Sequence, residues 1–162
     1  MSEGSERSVA ADPLAQALEL FWHPVCTTAE LTAAGDTPFG VELLGRRVVV
    51  ARAASGTLLA LADRCLHRST RLSIGRVDGE SIRCAYHGWR WAADGHCVEI
   101  PSMPGSPIPD RACIPSYDVE ERYGLVWVRL DASAGTTIPA HPAFDLVTDR
   151  PGSMRIVAGE PY

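Results

Sequence analysis

The stretch "CLHRSTRLSIGRVDGESIRCAYHGW", residues 65–89, holds two of the chain's 5 cysteines and two of its 5 histidines. They fall into matched pairs, Cys65-x-His67 and Cys84-x-x-His87. Between the pairs, "SIGRV" and "ESIRC" flank Asp78-Gly79, a dipeptide that closes tight hairpins. The pairs therefore read as two loops at neighbouring hairpin tips, presenting four ligands to one place. Thiolate and imidazole bind iron or zinc, and neither pair contains a hard oxygen donor.

The same rhythm extends outward. Turn signals recur at Ser55-Gly56, Asp94-Gly95 and Tyr123-Gly124, separating "RRVVVA" from "TLLALA", "WRWA" from "HCVEI" and "SYDVEE" from "LVWVRL". Short β-prone runs with such links predict an all-β, antiparallel domain of hairpins, closing as a small barrel or sandwich. Asp12-Pro13 predicts the cap and first turn of a short N-terminal helix with Leu14, Leu18 and Phe21 on one face. Residues 101–115, "PSMPGSPIPDRACIP", carry too many prolines for a central strand. They read as an irregular surface connector or as a stiff loop packed beside the metal loops. Residues 1–12 read as a disordered polar tail and 13–130 as one domain. Residues 131–162 read as a linker and the start of a following domain, "MRIVAGEPY" being a new strand-like run.

Hydrophobic residues make up 46% of the chain and charged residues 22%, the balance of a soluble globular protein. Net charge is -5, every basic residue is an arginine, and there is no basic run, which argues against a nucleic-acid surface. No apolar stretch reaches membrane-spanning length, and the N-terminus lacks the apolar core of a signal peptide, so no membrane association is expected. An odd number of cysteines disfavours a closed disulfide framework and suits a reducing cytoplasm, with some cysteines on metal.

Two kinds of site accept this ligand set. A tetrahedral zinc takes two cysteines and two histidines. A two-iron, two-sulfide cluster takes two cysteines on one iron and two histidines on the other. Zinc motifs usually pair like with like at close spacing, whereas each loop here mixes the two types. A cluster needs that mixture, because each loop then reaches both irons. Gly88, directly after His87, lets backbone come close to an inorganic core. The alternative is a zinc-stabilised interaction module.

The sequence resembles the Rieske iron–sulfur domain at the N-terminus of ring-hydroxylating, non-haem iron oxygenases. The likeness runs from "FWHPV" at 21 to "YGLVWVRL" at 130, and is most specific in "RCLHRSTRLSIG", "IRCAYHGWRWAADGHCVEIPSMP" and "YGLVWV". Leu66 and Ala85 stand where the family often has proline, and Ser69 where it often has glycine. The resemblance implies that Cys65 and Cys84 bind the inner iron of a [2Fe–2S] cluster and His67 and His87 the outer one. Arg68, Tyr86, Gly88 and Trp89 would surround it. It also implies one-electron transfer, from a reductase or ferredoxin to an oxygenase catalytic domain in the same or a neighbouring subunit. There a mononuclear non-haem iron would oxidise an aromatic or other apolar organic substrate. High-potential relatives carry an extra cysteine in each loop and a serine after His-Gly. Neither loop here has a spare cysteine, and Trp89 replaces the serine, which points to a low potential.

The remaining histidines, His23, His96 and His141, have no ligand-spaced partner, so this chain alone is not expected to oxygenate anything. A stand-alone ferredoxin-type carrier is the second reading. Cys26, Cys97 and Cys113 read as buried free thiols, and Trp91 and Trp127 as core. Arginines 64, 68, 71, 76, 83 and 90 outnumber the acids between 63 and 90. They read as a solvated strand surface or as a docking face for a partner's acidic groups.

Overall fold

The run Val48–Ala51 is apolar in every position, and the structure, a computed structural model that describes residues 13–140, buries both of its faces. It forms β3 (Arg46–Arg52), the central strand of a sheet with β2 (Phe39–Leu43) and β4 (Leu58–Ala62). Val49 and Ala51 face one core together with Leu59 and Leu61. Val48 and Val50 face a second core together with Ala60. The sheet is thus a middle layer, which explains why its strands read as continuous apolar runs rather than alternating ones. Each fully buried aliphatic there contributes about 1.5–3 kcal/mol relative to exposure.

A four-stranded antiparallel sheet closes the first core. Its strands, in order, are β5 (Arg76–Asp78), β6 (Ser81–Arg83), β7 (Arg90–Ala92) and β8 (Cys97–Glu99). The second core is closed by β1 (His23–Thr27), which pairs with β10 (Leu125–Arg129), which pairs in turn with β9 (Asp118–Arg122). All four expected hairpins form, with registers such as Val50↔Ala60, Val77↔Ile82, Trp91↔Cys97 and Trp127↔Glu120. The all-β, antiparallel expectation holds.

Helix α1 (Pro13–Leu18) forms as expected but buries none of its residues, and Leu14 and Phe21 stay exposed. A second helix, α2 (Thr28–Ala34), was not anticipated. Its signature was present: Thr27 Oγ1 accepts from the Glu30 N–H at 3.1 Å, and Glu30 Oε2 accepts from the Thr27 N–H at 2.7 Å. That reciprocal cap starts a helix at Thr-x-x-Glu, and Leu31 anchors it in the second core.

Residues 101–115 contain no strand, but they are more than a surface connector. Ala112 and Ile114 share the first core with Cys65 and Cys84, and the Cys97 N–H donates to Ala112 O at 2.8 Å. Residues 131–140 fold back on the domain: Thr136 O accepts from Trp22 Nε1 at 2.8 Å and Arg129 Nη1 at 2.7 Å, and Ile138 is buried against Tyr123 and Trp127. The expected tail at 1–12, His141 and the run from Met154 lie outside the described residues. Among those described, no helix is long and apolar enough to cross a membrane.

Candidate metal centre

Each Cys–His loop is closed by its own backbone. In the first, the Cys65 N–H donates to Thr70 O at 2.8 Å and the Ser69 N–H to Cys65 O at 2.9 Å. The second repeats the device: the Cys84 N–H donates to Trp89 O at 2.9 Å and the Gly88 N–H to Cys84 O at 3.1 Å. In both, the fourth residue after the cysteine is left-handed, with φ 57° at Ser69 and 71° at Gly88. The two loops are one turn used twice. Gly88 therefore has a conformational reason, and a Cβ there would also meet Pro101 Cγ at 3.1 Å. At Ser69 the same backbone costs about 1–2 kcal/mol. Arg64 offsets part of this by donating to Ser69 Oγ from Nε (3.0 Å) and Nη2 (2.8 Å).

The β5–β6 hairpin folds one loop onto the other. Buried Asp63, two residues before Cys65, accepts from the Ser73 N–H and hydroxyl at 2.7 Å each. Gly75, at the start of the hairpin, touches the carbonyl of Arg83, the residue before Cys84. Cys65 and Cys84 are only 2% and 4% exposed and lie in the same core. Burial pushes the Cys65 thiol up, while the His67 backbone N–H pulls against it. His67 and His87 are exposed, with ring centroids 4.6 Å apart. Lost hydration, with the charges of His87 and Arg68 added, lowers the His67 pKa and favours the neutral imidazole that binds metal. Trp89 stacks on His67 at 4.8 Å with planes 9° apart, and Tyr86, exposed, lies 3.8 Å from the His87 ring.

Like therefore stands with like, sulfur beside sulfur inside and imidazole beside imidazole outside. Among the described residues, no three His, Cys, Asp or Glu side chains converge on one point. A tetrahedral zinc needs four donors about 2.0–2.3 Å from one centre, whereas a two-iron cluster needs two pairs, each on its own metal. The arrangement fits the cluster.

The family model of the Rieske [2Fe-2S] domain matches residues 21–118, more than half of the 162. The chain belongs to the Rieske [2Fe-2S] domain family. This Rieske domain is 45% identical over 148 residues to methylxanthine N1-demethylase NdmA of Pseudomonas putida, covering 90% of this chain and 41% of that protein. It is 38% identical over 138 residues to the phenoxybenzoate dioxygenase alpha subunit of Ectopseudomonas oleovorans, covering 85% of this chain and 32% of that one. The solved structure of NdmB from Pseudomonas putida CBB5 superposes with a TM-score of 0.74 at 48% identity, covering 79% of this chain and 40% of that one. The Rieske domain thus spans at most 41% of the length of these relatives. Its cofactor is a Rieske-type [2Fe–2S] cluster.

The arginines of the loop region divide into two groups. Arg83 and Arg90 are drawn into a network with Asp78 and Glu99, at 2.6 Å for Arg83–Asp78 and 3.0 Å for Arg90–Glu99. Arg64, Arg68, Arg71 and Arg76 remain exposed. His23 Nε2 lies 2.8 Å from Leu18 O and His96 sits beside Asp94 in a turn, so both serve structure. All five cysteines are free, but Cys113 is only partly buried, against expectation, because its bridge to His96 lies at the edge of the core. Trp91 and Trp127 are core as expected.

Proposed function

We propose that this chain is the electron-accepting domain of a Rieske non-haem iron oxygenase, with Cys65 and Cys84 on one iron of the cluster and His67 and His87 on the other. One observation carries the assignment: two loops of identical turn geometry bring the cysteines together in the core and the histidines together at the surface. When bound, the cluster supplies one-electron chemistry. The chain's own residues shield the sulfurs from water and present the imidazole edges outward. Trp89 holds the His67 ring by stacking.

The surface around the histidines suits a protein donor. Leu66, Ile74 and Tyr86 are 53%, 62% and 63% exposed. Arg64, Arg68 and Arg71 flank them, and Arg46 and Arg47 line the adjoining groove of about 840 Å³. An apolar centre with a basic rim fits a ferredoxin or reductase whose redox centre is ringed by acidic groups. The electron then passes to a catalytic domain bearing a mononuclear non-haem iron, in the same or a neighbouring subunit. The substrate is an aromatic or other apolar organic molecule. Two relatives are named as methylxanthine demethylases, so N-methylated heteroaromatics are the first class to assay. The three thiols that are not ligands, Cys26, Cys97 and Cys113, suit a reducing cytoplasm.

Metal analysis and paramagnetic resonance on the purified chain test the assignment. The expected protein is red-brown, holds about two irons and two sulfides, and gives a Rieske-type signal on reduction. Cys84→Ser and His87→Ala each abolish it. A colourless protein with one zinc, from iron-replete cells, overturns the reading.

A further inference from the structure

Each ligand cysteine is preceded by an arginine, Arg64 before Cys65 and Arg83 before Cys84. Both arginines reach forward over the loop that follows, and both meet its left-handed residue, 5 positions on. Arg64 donates from Nε and Nη2 to Ser69 Oγ at 3.0 and 2.8 Å. Arg83 donates from Nη1 to Gly88 O at 3.3 Å, and a Cβ on Gly88 would stand 3.4 Å from that nitrogen. One residue thus grips each loop at both ends, by its backbone at the start and its guanidinium at the finish. The acceptor is a hydroxyl in one loop and a carbonyl in the other, yet the backbone turn and the arginine arm repeat together.

The two arms are held in different ways. The Arg83 side chain is 22% exposed and is aimed by two carboxylates, Asp78 at 2.6 Å from Nε and Glu99 at 3.2 Å from Nη2. With those nitrogens engaged, Nη1 is the one left for the loop. Arg90 shares Glu99 but not the task, because its nitrogens go to Ser81 Oγ, Glu99 Oε2 and Asp78 O. Arg64 is exposed and spends two nitrogens on one hydroxyl. The first loop needs that double hold, since Ser69 keeps a left-handed backbone that glycine adopts without strain. His67 and His87 project from these loops into solvent, so the loop backbone fixes where each imidazole leaves the domain.

We infer that Arg64 and Arg83 are paired positioning residues, each clasping the ligand loop that follows it and so placing His67 and His87 respectively. This rests on the ligand assignment above. Neither arginine is a catalytic residue; Arg64 acts through Ser69, and Arg83 through Gly88. Groups that orient metal ligands in this way typically contribute about tenfold to hundredfold in metal affinity.

The test compares the loaded chain with its Arg64→Gln, Arg83→Gln and Arg90→Gln variants. Three quantities are measured: the rate at which a chelator bleaches the cluster, the histidine-nitrogen couplings in pulsed paramagnetic resonance of the reduced cluster, and the urea midpoint. Arg64→Gln and Arg83→Gln should each bleach about tenfold faster or more and alter the nitrogen couplings. Arg90→Gln should lower the urea midpoint and leave both cluster readings as they are, because it touches the same carboxylates without reaching a loop. In a Ser69→Gly background, Arg64→Gln should have no further effect, since the acceptor is already gone. Should a glutamine variant take up no cluster, lysine at that position decides by the same readings, because it keeps the charge without the planar fork. Unchanged bleaching and couplings at either arginine overturn the inference. So does an Arg90→Gln chain that matches Arg83→Gln in both, or an undiminished Arg64 effect in the glycine background. An unaltered chain that takes up no cluster overturns the ligand assignment instead.

Discussion

Gly75→Ala separates a stability effect from an effect on the metal centre. The Gly75 backbone is not left-handed, so alanine meets no conformational penalty there. The obstacle is space: an added Cβ would lie 2.2 Å from Arg83 O, 3.0 Å from Leu72 O and 3.2 Å from Arg83 C. All three are backbone atoms and cannot swing aside. Real Cβ atoms essentially never come within 3.0 Å, so Arg83 must retreat by about 0.8 Å. Overpacking of this kind costs about 1–3 kcal/mol. The displaced residue directly precedes Cys84, while Gly75 continues from the loop that holds Cys65. Ligand distances tolerate about 0.2 Å, so a retreat of about 0.8 Å exceeds the tolerance roughly fourfold. The centre should fail before the fold does. The assay is iron and sulfide content per chain with the urea midpoint, alongside Gly56→Ala as a control. Gly56 has φ 93° and open space around it, in a turn away from the loops. Both variants should lose stability, and only Gly75→Ala should lose most of its cluster. If Gly75→Ala loads as fully as Gly56→Ala, the reasoning about hairpin contact is wrong.

Asp63→Ala strands the Ser73 N–H in a part-buried site and should lower the unfolding free energy by about 1–3 kcal/mol; a urea midpoint equal to wild type refutes it. Ser69→Ala keeps the left-handed strain and loses both Arg64 bonds, whereas Ser69→Gly loses the bonds and the strain. Thermal melts should therefore rank Gly above Ala at 69, by about 1 kcal/mol. Hydrogen bonds from Arg83 hold the Asp78 pKa below the usual carboxylate range, and those from Arg90 do the same for Glu99. The unfolded state then binds more protons, so this stabilisation is present above the ordinary range and is lost as pH falls through it. Midpoints measured from about pH 6 to 3 should fall more steeply for wild type than for the Asp78→Asn, Glu99→Gln chain, and salt should narrow the gap because these groups are only half-buried. Burial, and then Glu30, push the Cys26 thiol up to about 11, leaving about one thiolate in a thousand at pH 8. Iodoacetamide labelling followed by mass spectrometry should modify Cys26 only after unfolding.

Local chemistry wrote most of the fold into the sequence. A hairpin needs two β-prone runs and a turn that accepts its backbone, and Ser55-Gly56, Asp78-Gly79, Asp94-Gly95 and Tyr123-Gly124 each supplied both. The four ligand candidates were legible for the same reason, since unlike donors paired within each loop have few uses. The helix at Thr28–Ala34 was legible too, through its reciprocal cap, although its short length gave little periodicity to see. Tertiary structure alone decided what those elements do together. That β3 is a middle layer depends on two other sheets closing over it, and no spacing within β3 encodes them. That Ser69 plays the part of Gly88 appears only when the two turns are compared in space. Which arginines are neutralised depends on Glu99 reaching Arg83 and Arg90 across neighbouring strands. The indole of Trp91 reads as plain core in the sequence, because apolarity predicts burial but says nothing of the acceptor a buried N–H will find. Whether such a group is paired is set by packing, which joins the Trp127 indole to Arg122 O and leaves that of Trp91 without a hydrogen-bond partner.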